Sequence, residues 1–361
     1  MAIVGFGKTK IHYEMFDMVH SVAEAKRLAK CERIYHRGQS LAWDGQEILS
    51  MLMSEHGGIN IEPVKREALK RVFAIILWGE LAAWRISAQL ADMLVPLEAK
   101  MAATSQAHDE ARHFYVMHDY LSALGYVPAR LDRAPQALLD LVLDTQNPAY
   151  KLLGMQLQIE TMALTIFQTI RELSPEPVIA NLMPYFERDE ARHVGLGMQY
   201  LPTLMKSMGK RQMVALVLFQ CRVLFWGLWE VKVLAPDFET LGIDPRLIVE
   251  RGRQKQLATL KEAFEAIGLD FDKQRNPVVQ ALNAGVEWFF PTEQTTGSKR
   301  MRLKAALRAF LDTKSVATLE ELAIHAAHPI RTARGIIAPG ERLEGAIERS
   351  FVAPPNSSVI H

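Results

Sequence analysis

The hydrophobic pattern is helical along almost the whole chain. From Met15 to Glu55 apolar residues recur at three- and four-residue steps, with a break near Gly45, and Gly57-Gly58 ends the segment. Pro63 suits a first helical turn and opens a helix expected over Val64 to Leu94, with Phe73, Ile76, Leu77, Trp84 and Ala88 on its apolar stripe. Pro96 starts another, running to Leu124, and Gly125 stops it. A brief helix at Gln136 to Leu143 follows. Long helices are then expected over Pro148 to Leu173, Val178 to Met208 and Lys210 to Leu234. Pro184 predicts a kink or a broken first turn in the second of these. Leu247 to Ile267, Pro277 to Phe290 and Lys299 to Leu311 also read as helices, and Ala353 to His361 as a frayed tail. The fold class is all-α. Three regions are expected: an N-terminal arm (1–62), a bundle (63–235) and a C-terminal helical extension (236–361).

The chain repeats itself. Asp109-Glu110-Ala111-Arg112-His113 recurs unchanged as Asp189-Glu190-Ala191-Arg192-His193, an offset of 80 residues. The same offset carries Glu80 onto Glu160, Leu77 onto Leu157, Ala83 onto Ala163, Ile86 onto Ile166 and Tyr120 onto Tyr200. Each half thus holds a helix with a lone Glu and, 30 residues later, a helix with Glu-x-x-His. A duplicated helical hairpin explains this economically.

Residues three apart share a helix face, so Glu110 and His113 project together, as do Glu190 and His193. Two hairpins packed about a pseudo-twofold axis would point four glutamates and two histidines inward. Four buried carboxylates cannot remain ionised uncompensated, since each desolvated charge costs several kcal/mol and like charges raise one another's pKa. Two divalent cations would balance them, with neutral imidazoles completing the ligand set. Oxygen-rich ligation with one imidazole per metal suits iron or manganese.

Glu80, Glu110-x-x-His113, Glu160 and Glu190-x-x-His193 resemble the ferritin-like di-iron carboxylate superfamily, over about Val64 to Met208. The resemblance implies a four-helix bundle holding two iron ions, or a manganese–iron pair, with O2 as co-substrate. It makes Asp109 and Asp189 acceptors for the ligand imidazole N–H groups, with Arg112 and Arg192 pairing those acids. The acyl-carrier-protein desaturases and the hydroxylase subunits of multicomponent monooxygenases are closest in pattern. Both usually place a Thr three or four residues after the third Glu. Here Ala163 and Leu164 stand there, between Thr161 and Thr165. A π-bulge would bring Thr165 into register; without one, protons would come from Gln156 or water. The radical-generating subunit of ribonucleotide reductase typically has Asp and Tyr where Glu80 and Met117 stand. The resemblance thus implies an O2-dependent oxidoreductase that hydroxylates or otherwise oxidises a small organic substrate, drawing electrons from a ferredoxin or reductase, and the apolar residues around the ligands suggest that the substrate is hydrophobic or aromatic. The alternatives are a fatty-acyl desaturase, a ferroxidase and a metal-stabilised scaffold.

Composition narrows the remaining choices. Lys plus Arg is 42 and Asp plus Glu is 41, so no global field attracts nucleic acid. Cys31 and Cys221 form no Cys-x-x-Cys pair, which excludes a thiolate electron-transfer module and fits a reducing cytoplasm. In the most apolar stretch, Gln212 to Ala235, Arg222 and Glu230 leave uncharged runs of only ten and seven residues. That reads as a buried or homodimer-contact helix, not a membrane span. His108, His118, His325 and His328 read as non-ligands. Trp84, Phe114 and Phe167 read as core, one of them a candidate for a substrate cavity wall. The basic run Lys299 to Arg308 reads as a solvated face.

Overall fold

A computed structural model describes residues 28–268, 277–311, 330–332 and 335–337. The first part of the expected N-terminal helix, from Met15, the tail from Ala353, and His325 and His328 lie outside the described residues.

Proline and polar caps set the helix starts. Helix α1 spans Ala29–Leu41 and α2 spans Gly45–Glu55, with the Asp44 side chain accepting from the Glu47 N–H at 2.9 Å. Gly57 and Gly58 follow at φ 67° and 88°, where a side chain would be strained. Helix α3 (Pro63–Met93) and α4 (Leu97–Ala123) form the first long hairpin, and α5 (Arg133–Leu143) is the brief helix.

The second hairpin begins with α6 (Pro148–Lys151), capped by Asn147, and passes through a π-helical stretch (Leu152–Ile159) into α7 (Glu160–Leu173). Its return arm is α8 (Pro177–Lys206). Of the two outcomes expected at Pro184, the broken first turn does not occur: α8 continues through Pro184 and Pro202. Its start is anchored instead at buried Glu176, which accepts from the N–H groups of Val178 (3.1 Å) and Ile179 (2.9 Å) and from the Tyr120 hydroxyl (3.0 Å).

Helix α9 spans Lys210–Thr240, passing through Pro236 and beyond the expected end at Leu234. It is followed by α10 (Pro245–Glu265), α11 (Pro277–Phe289) and α12 (Lys299–Leu311). The C-terminal extension is not wholly helical: β1 (Ile330–Thr332) pairs antiparallel with β2 (Gly335–Ile337), placing Ile330 opposite Ile337. Their β-branched residues favour extended backbone, a local preference that a helical reading of the extension overlooked.

The four long helices α3, α4, α7 and α8 make the bundle, with α3 packed on α4, α7 on α8, and α4 on α8 between the halves. Helices α1 and α2 close over α4 and α8, and α10 covers α7 and α8. Helix α9 is long and apolar enough to cross a membrane by length and composition. One of its faces packs on α3, α5, α10 and α11, while Val214, Leu218, Phe225, Trp229 and Val233 remain exposed.

The π-helical stretch needs a close neighbour on α8. A Cβ at Gly197 would lie 2.8 Å from the Cβ of Gln156 and 2.9 Å from Cδ2 of Leu157. The missing side chain lets the widened turn sit against α8 immediately before Glu160.

Candidate metal centre

The repeat brings all six expected ligands to the bundle centre. Glu80 comes from α3, Glu110 and His113 from α4, Glu160 from the first position of α7, and Glu190 and His193 from α8. None is more than 5% exposed. Two overlapping groups result. One oxygen or nitrogen each of Glu80, Glu110, His113 and Glu190 lies within 4.8 Å of the others, and the same holds for Glu110, Glu160, Glu190 and His193. Glu110 and Glu190 belong to both groups, as bridging carboxylates would.

Both imidazoles aim Nδ1 at the carboxylates. His113 Nδ1 lies 3.4 Å from Glu80 Oε2 and Glu110 Oε2 and 3.2 Å from Glu190 Oε1. His193 Nδ1 lies 2.9 Å from Glu110 Oε1 and 3.0 Å from Glu190 Oε2. The opposite ring edges meet aspartates across the repeat: His113 Nε2 is 3.0 Å from Asp189 Oδ2, and His193 Nε2 is 3.4 Å from Asp109 Oδ2. An N–H donated from Nε2 fixes the tautomer that leaves an Nδ1 lone pair for a cation.

The same aspartates hold two arginines. Arg112 Nη2 donates to Asp109 Oδ1 (2.5 Å) and Asp189 Oδ2 (2.8 Å); Arg192 Nη2 donates to Asp189 Oδ1 (2.5 Å) and Asp109 Oδ2 (2.8 Å). Burial alone would push both acids up, but Arg192 and Arg112 outweigh it and hold Asp189 well below the usual carboxylate range. Asp109 is lowered too, although burial and the Asp189 charge oppose it.

Inside this frame Glu80, Glu160 and both imidazoles are shifted toward their protonated forms. Burial pushes Glu80 and Glu160 well above the usual range. Burial opposes charge on His113, yet the surrounding carboxylates of Asp189, Glu110, Glu190 and Glu80 raise it well above its usual value. His193 is raised likewise, against burial, by the charges of Glu110 and Glu190. Divalent cations fit the donor set better. Glu110 Oε2, Glu190 Oε1 and His113 Nδ1 are buried without a hydrogen-bond partner, and buried polar atoms of this kind require one. Four carboxylates and two imidazoles, without thiolate, suit oxygen-preferring ions such as iron or manganese.

Several contacts carry no signal in the repeat. Gln106, one turn before Glu110, donates to Glu110 Oε1 (3.2 Å) and Glu160 Oε1 (3.1 Å), and Gln156 donates to Gln106 Oε1 (3.2 Å). The residue 80 positions beyond Gln106 is Phe186, whose ring stacks on His113 at a centroid distance of 4.2 Å. The two halves therefore differ: an amide contacts one pair of glutamates and an aromatic ring covers one imidazole. Trp43, in the loop between α1 and α2, donates its indole N–H to Asp189 Oδ2 at 2.8 Å, and the Arg112 guanidinium lies 4.9 Å above its ring. The i, i+4 spacing to Glu110 could have pointed to Gln106. Nothing local could have pointed to Trp43, which lies 146 residues from its partner.

The expectation for Thr165 is corrected. The π-helical stretch exists but lies before Glu160, so it does not re-register the residues that follow. Thr165 donates to the Thr161 carbonyl (2.8 Å) and meets Lys255 Nζ at 3.4 Å, on the side facing α10. His108 and His118 lie apart from the centre, His108 exposed near Arg112 and His118 beside Asp119.

A cavity with an empty volume of about 1030 Å3, open mouth included, reaches the centre from the α9 side. Glu80 and Glu160 line one part of it, and Ile76, Leu138, Met162, Ile166, Leu224 and Leu228 are among its apolar walls. Trp84, Phe114 and Phe167 do not line it.

No family model matches the chain, and no curated protein matches it. Among solved structures it is similar to a Synechococcus protein with aldehyde deformylating oxidase activity, at 21% identity and a TM-score of 0.48, over 58% of this chain and 93% of that one. The helix order itself, lone Glu, Glu-x-x-His, lone Glu, Glu-x-x-His on α3, α4, α7 and α8, resembles that of the ferritin-like carboxylate bundle.

Proposed function

We propose that this protein is an O2-dependent di-iron oxidoreductase acting on a small organic substrate. The observation that carries the reading is the convergence of four glutamates and two imidazoles into two overlapping four-residue groups. Glu80, Glu110, His113 and Glu190 would hold one metal; Glu110, Glu160, Glu190 and His193 would hold the other. Two irons there would supply the redox chemistry of O2 reduction, with electrons from a separate ferredoxin or reductase.

The chain's own residues do the rest. Asp109 and Asp189 hold the imidazoles in the Nε2–H form, and Arg112 and Arg192 keep those acids ionised. Gln106 orients Glu110 and Glu160. The cavity walls exclude water and admit an apolar substrate beside Glu80 and Glu160. Hydroxylation of such a substrate is the preferred outcome. A second copy of the chain would cover the exposed stripe on α9, in a cytoplasmic homodimer.

Anaerobic loading with Fe(II), followed by a pulse of O2, tests the reading. Two irons per chain and O2 uptake stimulated by an organic substrate are expected. Loaded protein that consumes no O2 would end the oxidoreductase reading. Iron oxidation without an organic product would favour a ferroxidase.

A further inference from the structure

One charged residue of the apolar helix α9 has no place in the metal centre. Glu230 interrupts the most apolar stretch of the sequence, and the structure puts it in the wall of the same cavity that Glu80 and Glu160 line. Among the described residues nothing forms a hydrogen bond or ion pair with it. Burial pushes its carboxyl up to about 7, and no neighbouring charge adds to or opposes that effect.

The cavity is also kept open by the backbone. Gly79 and Gly227 are helix-interior glycines in its wall, and a Cβ at either would meet nothing within 4 Å. Interior glycine weakens a helix, and here no close neighbour requires it. The residues leave space instead. Gly227 precedes Glu230 by three positions, on the same helix face.

Among the described residues, one basic side chain lines the cavity, and it is already engaged. Arg253 donates from Nε to Glu250 at 2.8 Å and from Nη1 to Asn283 at 3.3 Å. Among the described residues an anionic ligand would find no free cation there. A cationic one would find an uncompensated carboxylate among apolar side chains, able to accept charge-assisted hydrogen bonds.

We infer that Glu230 is a specificity-determining residue that binds the ammonium group of an apolar amine, whose hydrocarbon part extends along the cavity toward Glu80 and Glu160. The inference deepens the proposed function and rests on it for the claim that the bound amine is the substrate. Binding itself requires neither iron nor O2. With nitrogen held at Glu230, the group presented to the metal centre is a carbon of the chain or ring.

Calorimetric titration of the full chain at pH 8 with hexylamine, 1-hexanol and hexanoate tests it, since the three share one chain and differ in the head group. Hexylamine should bind about tenfold more tightly than either of the others. Glu230→Gln should lower the amine's affinity to that of the alcohol and leave the alcohol's unchanged. Gly227→Leu should weaken all three by filling the cavity. Circular dichroism melts verify that both variants fold.

Failure of the amine to bind, alcohol or acid binding as tightly as amine, or full amine affinity in either variant would overturn the inference. If the amine binds as expected but iron-loaded protein consumes no O2, the redox reading alone fails. If O2 is consumed but the amine is not preferred, only the role of Glu230 fails.

Discussion

His113 Nε2 lies 3.0 Å from Asp189 Oδ2, although the two residues belong to opposite halves of the repeat. The imidazole of one Glu-x-x-His motif is thus oriented by the aspartate of the other. Asp189→Asn keeps the shape but can present an N–H to the ring edge, which disfavours the Nε2–H tautomer. Metal affinity should fall about 10- to 100-fold. Equilibrium titration with Co(II) or Mn(II) would measure it, and unchanged affinity would remove the orienting role.

Membership of both ligand groups predicts unequal losses. Glu110 belongs to both ligand groups, whereas Glu80 belongs to one. Glu110→Ala should reduce loading at both positions, while Glu80→Ala should retain one metal per chain. Elemental analysis after desalting gives the count. Two metals retained in Glu110→Ala would refute the assignment.

Metal affinity should rise with pH. The carboxylates of Asp189, Glu110 and Glu190 hold His113, and those of Glu110 and Glu190 hold His193, well above their usual range, and burial raises Glu80 and Glu160. A cation must displace these protons. Titrations in buffers of different ionisation enthalpy should show net proton release on loading. Loading with no proton released would contradict this electrostatic picture.

Glu230 predicts a pH-dependent stability. Its carboxyl is raised from 4.5 to about 7 by burial, so the folded protein holds this proton more tightly than the unfolded chain. The resulting stability is complete below the unfolded value and is lost as pH rises through the folded one. Glu230→Gln should therefore gain on the wild type, by on the order of 1 kcal/mol, between pH 5 and pH 8, with solvent at the cavity mouth reducing the effect. Urea denaturation at the two pH values measures the difference. No relative gain would show that the carboxyl is well hydrated.

Gly197 predicts a steric cost. Its added Cβ would come within 2.8 Å of Gln156 and 2.9 Å of Leu157. Gly197→Ala should destabilise the fold by about 1–3 kcal/mol, as overpacking does, despite alanine's better helix propensity. A rise in melting temperature would show that the π-helical stretch yields freely.

The sequence by itself determined the helices, their proline and glycine boundaries, and the six residues that meet at the bundle centre. Those features are local or periodic: a 3.6-residue turn places Glu110 beside His113 wherever the helix goes, and an exact repeat places Glu190 beside His193 in the same way. Tertiary packing decided the rest. Only the approach of α4 to α8 pairs each imidazole with the other half's aspartate, and only the loop before α2 brings Trp43 to Asp189. That Thr165 meets Lys255 of α10 could likewise be known only from packing. Glu230 was visible in the sequence as a charge in an apolar helix, but its surroundings were not. Whether such a carboxylate meets water, a partner or a cavity depends on helices distant in sequence, and pattern along one helix carries no record of them.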